Sequence, residues 1–339
     1  FDVPFQHLHQ QCMKMGFGHP PPGQTQPAPG CIWVRRRVRQ LLRCFTRCCS
    51  LCLDCMDILL RVLGPLMVLL AVFLIGFVAY TFFTIIVPQL ADEGTSSPML
   101  LGQLALGCFI LVNIMYNYAM AVCLRAGEPP PFPGEGDAEA GDGSLSLRQC
   151  QKCLRSKPPR AHHCSVCKQC VMKMDHHCPW INNCVGFNNY RYFCLFMLYL
   201  ALGCLYVVIL GYRLFLQSVA PIRKRPPNFR FADAQCISLS WLISLCIFLA
   251  LCLLGGFHAY LVVTNQTTIE FHINMGNRHA AKRKGEVYRN PYDLGHSRNF
   301  QEVFGPNRFL HFLWMMPYLA KRPTGSGASF PTVSELEPV

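Results

Sequence analysis

The chain has 339 residues, 52% hydrophobic and only 14% charged, with a mean hydropathy of +0.25, a formal net charge of +13 and 21 cysteines. Such apolarity excludes an intrinsically disordered chain and argues against an ordinary soluble one, while cysteines set singly or at metal-ligand spacing, with no obvious disulfide framework, point to a reducing compartment. The positive charge suits an anionic membrane surface or an anionic headgroup, and no nucleic-acid partner is expected.

Residues 1–34 open on a Pro-, Gly- and Gln-rich stretch and predict a disordered segment. Residues 35–61 alternate basic, apolar and Cys positions and predict an interfacial helix. Within it, Cys44, Cys48, Cys49, Cys52 and Cys55 are candidates for S-acylation, with plain packing as the alternative. A helix needs about twenty largely apolar residues to cross a bilayer, and four runs qualify: 62–87, 99–124, 192–212 and 236–263. Asn113 and Asn117, four apart in the second run, predict hydrogen bonds between helices. His258 in the fourth reads as a satisfied buried imidazole. Between the second and third runs, 125–147 has the Gly- and acid-rich composition of a flexible linker, and 148–191 gathers Cys and His. Residues 264–339 form a C-terminal tail.

Four crossings put both termini and the 125–191 segment on one side. Lys and Arg number 8 in 1–61, 9 in 125–191 and 9 in 264–339, against none in 88–98 and 5 in 213–235. The bias places termini and Cys-rich segment in the cytosol. Arg213 and Arg230, near the ends of their spans, are expected to snorkel to the interface.

The Cys-rich segment repeats itself. Cys150, Cys153, His163 and Cys170 have the spacing C-x2-C-x9-H-x6-C, and Cys164, Cys167, His177 and Cys184 repeat it fourteen residues on. Three thiolates and one imidazole make a common structural zinc set, so two interleaved zinc sites are predicted. A sequential pairing, with Cys150, Cys153, Cys164 and Cys167 as an all-cysteine site, is the rival. A third copy would begin at Cys178, but its next ligand position is Ile181. Cys178 is therefore a thiol without a metal, two residues from His176 and three from Asp175. A histidine can take the thiol proton and a carboxylate can orient the ring, so Cys178 is a candidate nucleophile. The plain alternative is that His176 and Cys178 only pack beside the metal.

The run from Cys150 to Gly186, C-x2-C-x8-H-H-C-x2-C-x2-C-x4-D-H-H-C-P-W-x-N-N-C-V-G, resembles the DHHC zinc-finger protein S-acyltransferases. Thr267-Thr268-Ile269-Glu270 resembles that family's T-T-x-E motif. Asn290–Gly305, with Tyr292, Gly295, Asn299 and Phe304-Gly305, resembles its C-terminal motif, and Phe300 stands where many members have Trp. The resemblance implies an α-helical polytopic membrane protein: four transmembrane helices, with a cytosolic domain holding two structural zinc ions between the second and third. It implies acyl transfer in two steps. Cys178 takes a long-chain acyl group, chiefly palmitoyl, from acyl-CoA, then passes it to a cytosolic cysteine of a membrane-associated protein. His176 would be the general base, Asp175 its orienting partner, and Thr268 a contact to Asp175. Asn299 would satisfy backbone groups of the tail. Trp180 would lie at the thioester end of an acyl chain held among the spans, and Gly203 at its narrow end. The implied location is the endomembrane system, endoplasmic reticulum or Golgi before plasma membrane. The rival class is a membrane-anchored zinc-finger interaction module, such as a ubiquitin-ligase adaptor, which would need the metal sites but neither Cys178 nor Thr268.

Overall fold

The computed structural model describes residues 29–129, 148–221, 230–305 and 325–336, with backbone alone for 29–54 and 148. The predicted segments at 1–28 and 130–147, and the side chains of Cys44, Cys48, Cys49 and Cys52, lie outside the described residues. The chain divides into two compact units, 1–63 and 64–339. In the first, the described residues are helical from Pro29, the start of α1 (Pro29–Thr81). The sequence predicts a disordered segment over 1–34 and an interfacial helix over 35–61; the described backbone is helical over Pro29–Thr81. No Gly or Pro occurs between Cys31 and Leu63, so nothing in that stretch breaks a helix.

In the second unit α1 passes through a π-helical stretch, Phe82–Ile86, into α2 (Val87–Asp92); α3 (Ser97–Cys123), α4 (Tyr190–Val219) and α5 (Phe231–Val263) follow. Among the described residues, four helical segments are long and apolar enough to cross a bilayer: Cys55–Asp92, Ser97–Cys123, Tyr190–Val219 and Phe231–Val263. The protein is a polytopic α-helical membrane protein. Two polar side chains of the spans donate to backbone carbonyls of neighbouring helices. Tyr206 Oη donates to Gln103 O at 2.9 Å, and Trp241 Nε1 to Val208 O at 2.9 Å. Asn113 and Asn117 do not pair across helices as predicted. Asn113 donates to Phe109 O at 2.9 Å and Asn117 to Asn113 O at 2.8 Å. A carbonyl four residues back is always within reach of a short amide side chain, so neither donor needs a neighbouring helix. Arg213 lies 3.9 Å from Glu93 across the short-loop side.

Between α3 and α4 the chain folds into three two-stranded antiparallel hairpins: β1 (Arg148–Gln149) with β2 (Ser156–Lys157), β3 (His162–Cys164) with β4 (Gln169–Val171), and β5 (His176–Cys178) with β6 (Asn183–Val185). The fourteen-residue repeat is a repeat of register. Gln149 faces Ser156, His163 faces Cys170, and His177 faces Cys184. The turns repeat as well, because Leu154, Lys168 and Asn182 all have left-handed backbone, with φ of 56°, 57° and 47°. These hairpins dock on the end of α3. Asn183 Nδ2 reaches the carbonyls of Ala121, Val122 and Leu124 at 2.9–3.2 Å, and the fully buried Asn189 donates to Cys184 O at 2.8 Å. Helix ends leave carbonyls without intrahelical partners, and here Asn183 and Asn189 satisfy them. Gly186 sits where a Cβ would come within 2.8 Å of Met172 O and 3.1 Å of Ala126 O, so no larger residue fits between the second hairpin and the chain leaving α3.

After α5 come α6 (Thr268–Lys284), α7 (His296–Phe304) and, past residue 324, α8 (Val333–Leu336). Helix α6 starts with a reciprocal cap between Thr267 and Glu270 and ends at Gly285, with Lys282, Arg283 and Lys284 in its last turn. That is the charge arrangement a helix dipole favours.

Candidate active site

The hairpins build two metal-binding clusters by one rule: the loop of one hairpin supplies two cysteines, and the next hairpin supplies a cross-strand His-Cys pair. The ligand atoms of Cys150, Cys153, His163 and Cys170 lie within 4.8 Å of one another, as do those of Cys164, Cys167, His177 and Cys184. The fold therefore assembles the interleaved sets, not the sequential one. Zn–S bonds of about 2.3 Å imply tetrahedral S–S edges of about 3.8 Å. The Cys153 and Cys170 sulfurs are 3.5 Å apart and those of Cys167 and Cys184 3.4 Å, near that edge, and sulfur-to-Nδ1 distances include 3.3 Å (Cys167 to His177) and 3.9 Å (Cys170 to His163). The sulfurs also compete for positive charge. Hydrogen bonds with Cys167 and Cys184 hold Cys164 well below the usual thiol range, and hydrogen bonds with Cys164 and Cys167 push Cys184 well above it. A cation at the centre removes that competition by letting every thiol ionise. Each cluster can hold a metal ion, and the donor set suits zinc.

The third hairpin has no successor. Its Cys178 occupies the position of Cys150 and Cys164 in the repeat, its Ile181 that of Cys153 and Cys167, and Ile181 is fully buried in apolar core. Cys178 belongs to neither cluster. It is buried beside His176, which hydrogen-bonds it and whose Nδ1 lies 2.7 Å from Asp175 Oδ2. Burial opposes a charge on the His176 ring, but Asp175 and Cys178 outweigh it and raise the ring to about 9. Burial likewise works against the Asp175 carboxylate, and its His176 and Thr268 partners prevail, holding it below its usual range.

Asp175 is oriented from the other end of the chain. Thr268 donates its backbone N–H to Oδ1 at 2.9 Å and its hydroxyl to Oδ2 at 2.7 Å. The position of Thr268 is set by the cap on its helix: Glu270 N donates to Thr267 Oγ1 at 3.2 Å, and Thr267 N to Glu270 Oε2 at 2.9 Å. Glu270 also takes a bidentate pair from Arg160, 2.7 Å to each oxygen, and Arg160 reaches Asn265 through its side chain and carbonyl at 3.1 and 3.0 Å. Arg160 is thus a site residue that sequence reasoning missed. The signal available was the glutamate of the T-T-x-E motif: a buried carboxylate requires a partner, and Arg160 lies in the segment preceding the clustered histidines. His258 was not placed at the site either. From α5 it accepts or donates at Nδ1 to Tyr190 Oη, 3.1 Å away, and its ring centroid is 5.8 Å from that of His176. Asn299, fully buried, accepts from Leu294 N at 2.9 Å and donates to Val263 O at 2.6 Å, joining the tail to the end of α5 as well as satisfying its own backbone.

Cys178 opens on a cavity of about 530 Å³. Its walls are apolar side chains of the four membrane-spanning helices, among them Leu74, Ile114, Phe196 and Leu251, and His176, Cys178 and Trp180 also line it. Trp180 is half exposed, and its carbonyl accepts from Tyr118 Oη at 2.8 Å. Gly203 lines the same cavity, where a Cβ would meet Ile114 at 3.0 Å and Ile110 at 3.2 Å.

Residues 144–275 match the family described as DHHC palmitoyltransferase. The chain is 36% identical over 255 residues to "Probable protein S-acyltransferase 16" of Arabidopsis thaliana, covering 72% of this chain and 85% of that protein. It is 29% identical over 332 residues to palmitoyltransferase ZDHHC16A of Danio rerio, covering 84% and 83%. With palmitoyltransferase ZDHHC2 of Mus musculus it shares 37% over 194 residues, 56% of this chain and 47% of that one.

Proposed function

The chain belongs to the DHHC family of protein S-acyltransferases, and from that premise we propose that it moves a long-chain acyl group, chiefly palmitoyl, from acyl-CoA to protein cysteines through an acyl-Cys178 intermediate. The observation that carries this reading is a thiol left out of both metal clusters, paired with His176–Asp175, lining an apolar cavity among the spans. The acyl chain lies in the cavity, driven there by the hydrophobic effect, while the thioester carbonyl stays at Cys178. Sγ attacks that carbonyl and His176 takes the thiol proton. The S–C bond to Cys178 forms, the S–C bond to CoA breaks, and CoA leaves with the proton from His176. In the second step a substrate thiol attacks acyl-Cys178 and gives up its proton to His176, which returns it to Cys178 as the new thioester forms. Asp175 keeps the ring's Nδ1 proton in place, so the other nitrogen serves the sulfur. Thr268 supports Asp175. Gly203 leaves the end of the cavity open for chains of sixteen carbons or more.

Cys150, Cys153, His163 and Cys170 would hold one zinc ion and Cys164, Cys167, His177 and Cys184 a second, and each would tie neighbouring hairpins together beside Cys178. A filled tetrahedral site of this kind is structural, so all the acid–base work falls to His176 and Asp175. The Lys and Arg bias supports placing the termini and the zinc domain in the cytosol, where acyl-CoA and the cytosolic cysteines of membrane proteins meet it.

The test is labelling of purified, zinc-loaded protein with a fatty acyl-CoA analogue. Hydroxylamine-sensitive label at Cys178, lost in Cys178→Ser and kept when the N-terminal cysteines are removed, is the expected result. Intact protein with two zinc ions and no label would overturn the reading in favour of a zinc-finger interaction module.

A further inference from the structure

Residues Gly325–Leu336 return to the zinc domain as a strap. Val333 N donates to Pro291 O at 2.9 Å. At Gly327, with φ of 76°, a Cβ would come within 2.7 Å of the Phe187 ring, so the backbone runs directly over that ring. Phe330 is 9% exposed and meets Phe187 and Tyr292 edge-on, with centroids 6.0 and 6.4 Å away. Its ring lies 4.9 Å from Arg160 Cζ, and Tyr292 lies 4.3 Å away, so the Arg160 guanidinium has an aromatic ring at both distances. Lys173 Nζ is 5.2 Å from the Phe330 ring.

Arg160 is no ordinary surface cation. Its side chain is 1% exposed, and its own backbone is left-handed, with φ of 64°. A non-glycine residue keeps that conformation only where its surroundings enforce it. A buried guanidinium is tolerated when its hydrogen bonds are met and its flat faces are covered by rings. Glu270 and Asn265 meet the first need. Tyr292 and Phe330 contribute to the second.

The contacts run without a gap from the strap to the reacting group. Phe330 covers Arg160, and Arg160 holds both oxygens of Glu270. Glu270 takes the N–H of Thr267, and the adjacent Thr268 gives two hydrogen bonds to Asp175, the partner of His176. We propose that the C-terminal strap is a positioning element for the reaction, with Phe330 excluding water from the Arg160–Glu270 pair and so fixing Thr268 against Asp175. This rests on the acyltransferase reading of Cys178. Removing the ring lets water reach the guanidinium, which raises the local dielectric and loosens the ion pair. The cap of α6 then loses its anchor, and Asp175 is held by His176 more than by Thr268.

The experiment measures the rate of Cys178 self-acylation against acyl-CoA concentration in the full chain. Phe330→Ala is expected to lower the maximal rate about tenfold, the size that a break in a packed network produces. The half-saturating acyl-CoA should stay within twofold, and two zinc ions should remain per chain. Phe330→Tyr should recover most of the rate. In a Thr268→Val background, which removes the hydroxyl bond to Asp175 and leaves the backbone N–H bond, Phe330→Ala should cost clearly less than tenfold, because part of the path it acts through is already cut. If Phe330→Ala loses metal, Phe330→Leu, which keeps an apolar cover, should keep both the metal and a rate within twofold of the parent, and a tenfold loss in it with two zinc ions bound would overturn the water-excluding role. A Phe330→Ala rate within twofold of the parent would overturn the proposal, as would a full tenfold loss on top of Thr268→Val. A parent protein that takes no acyl group at Cys178 would bring down the acyltransferase reading and the strap's role with it. That result is distinct from a labelled parent indifferent to Phe330, which sinks the strap alone.

Discussion

The second and third hairpins share a register and a turn, yet one carries a metal cluster and the other a free thiol. His163 faces Cys170 and His177 faces Cys184 in equivalent positions, and Lys168 and Asn182 turn the chain in the same left-handed conformation. Cys164 at the end of β3 joins Cys167, and the third hairpin completes their ligand set. Cys178 at the end of β5 has Ile181 in place of a second cysteine, and the chain continues from β6 into the helix α4, with no fourth hairpin. A thiol outside either cluster can thus be made from a repeated cysteine hairpin by subtraction. The hairpin geometry stays, held by the cluster before it, and the thiol loses its ligand-mates.

Four substitutions probe that contrast, in decreasing order of effect. Cys178→Ser should remove acyl-enzyme formation by about a thousandfold or more, as loss of a nucleophile does, while zinc stays at two per chain. Any fall in zinc in that variant would mean the sulfur is a ligand after all. Cys164→Ser, at the equivalent position one hairpin earlier, should do the reverse. Zinc should drop to one per chain or fewer, and because the metal's binding energy is folding energy, about 10–16 kcal/mol for structural zinc sites, the domain should lose protease resistance. Metal analysis with limited proteolysis reads this, and a stable two-zinc protein would contradict the ligand set. Thr268→Val removes one hydroxyl hydrogen bond to a buried carboxylate, worth about 1.5–3 kcal/mol. We expect self-acylation about ten- to a hundredfold slower with zinc unchanged, and an undiminished rate would release Asp175 from its dependence on the tail. Gly203→Leu should have the smallest effect. It should shift preference a few-fold toward shorter acyl-CoA, since each CH₂ excluded from the cavity forfeits about 0.8 kcal/mol. A chain-length profile like the parent's would move the end of the acyl site elsewhere.

Much of the site was legible because its ligands are close in sequence. A fourteen-residue repeat can be counted, and the unfilled third copy singles out Cys178 before any coordinates. The four spans were legible for a different reason. A bilayer imposes a minimum apolar length on any helix that crosses it, and length is visible in a string. Boundaries were less so. The third span was read as 192–212 and the helix runs Tyr190–Val219, because a helix continues past the apolar run wherever nothing stops it.

Residue type and spacing along one line were enough for the metal-ligand identities, the leftover thiol, the apolar spans and the family resemblance. Contacts that reach across that line came only from the folded arrangement. Arg160 meets Glu270 over 110 residues of separation and Tyr190 meets His258 over 68, whereas the contact of Thr268 with Asp175 over 93 was already implied by the family resemblance. Such pairs follow no period, because each depends on where two helices and a hairpin come to rest in three dimensions. The same holds for the cavity: its wall is a sum over four helices, and no single one of them encodes its depth.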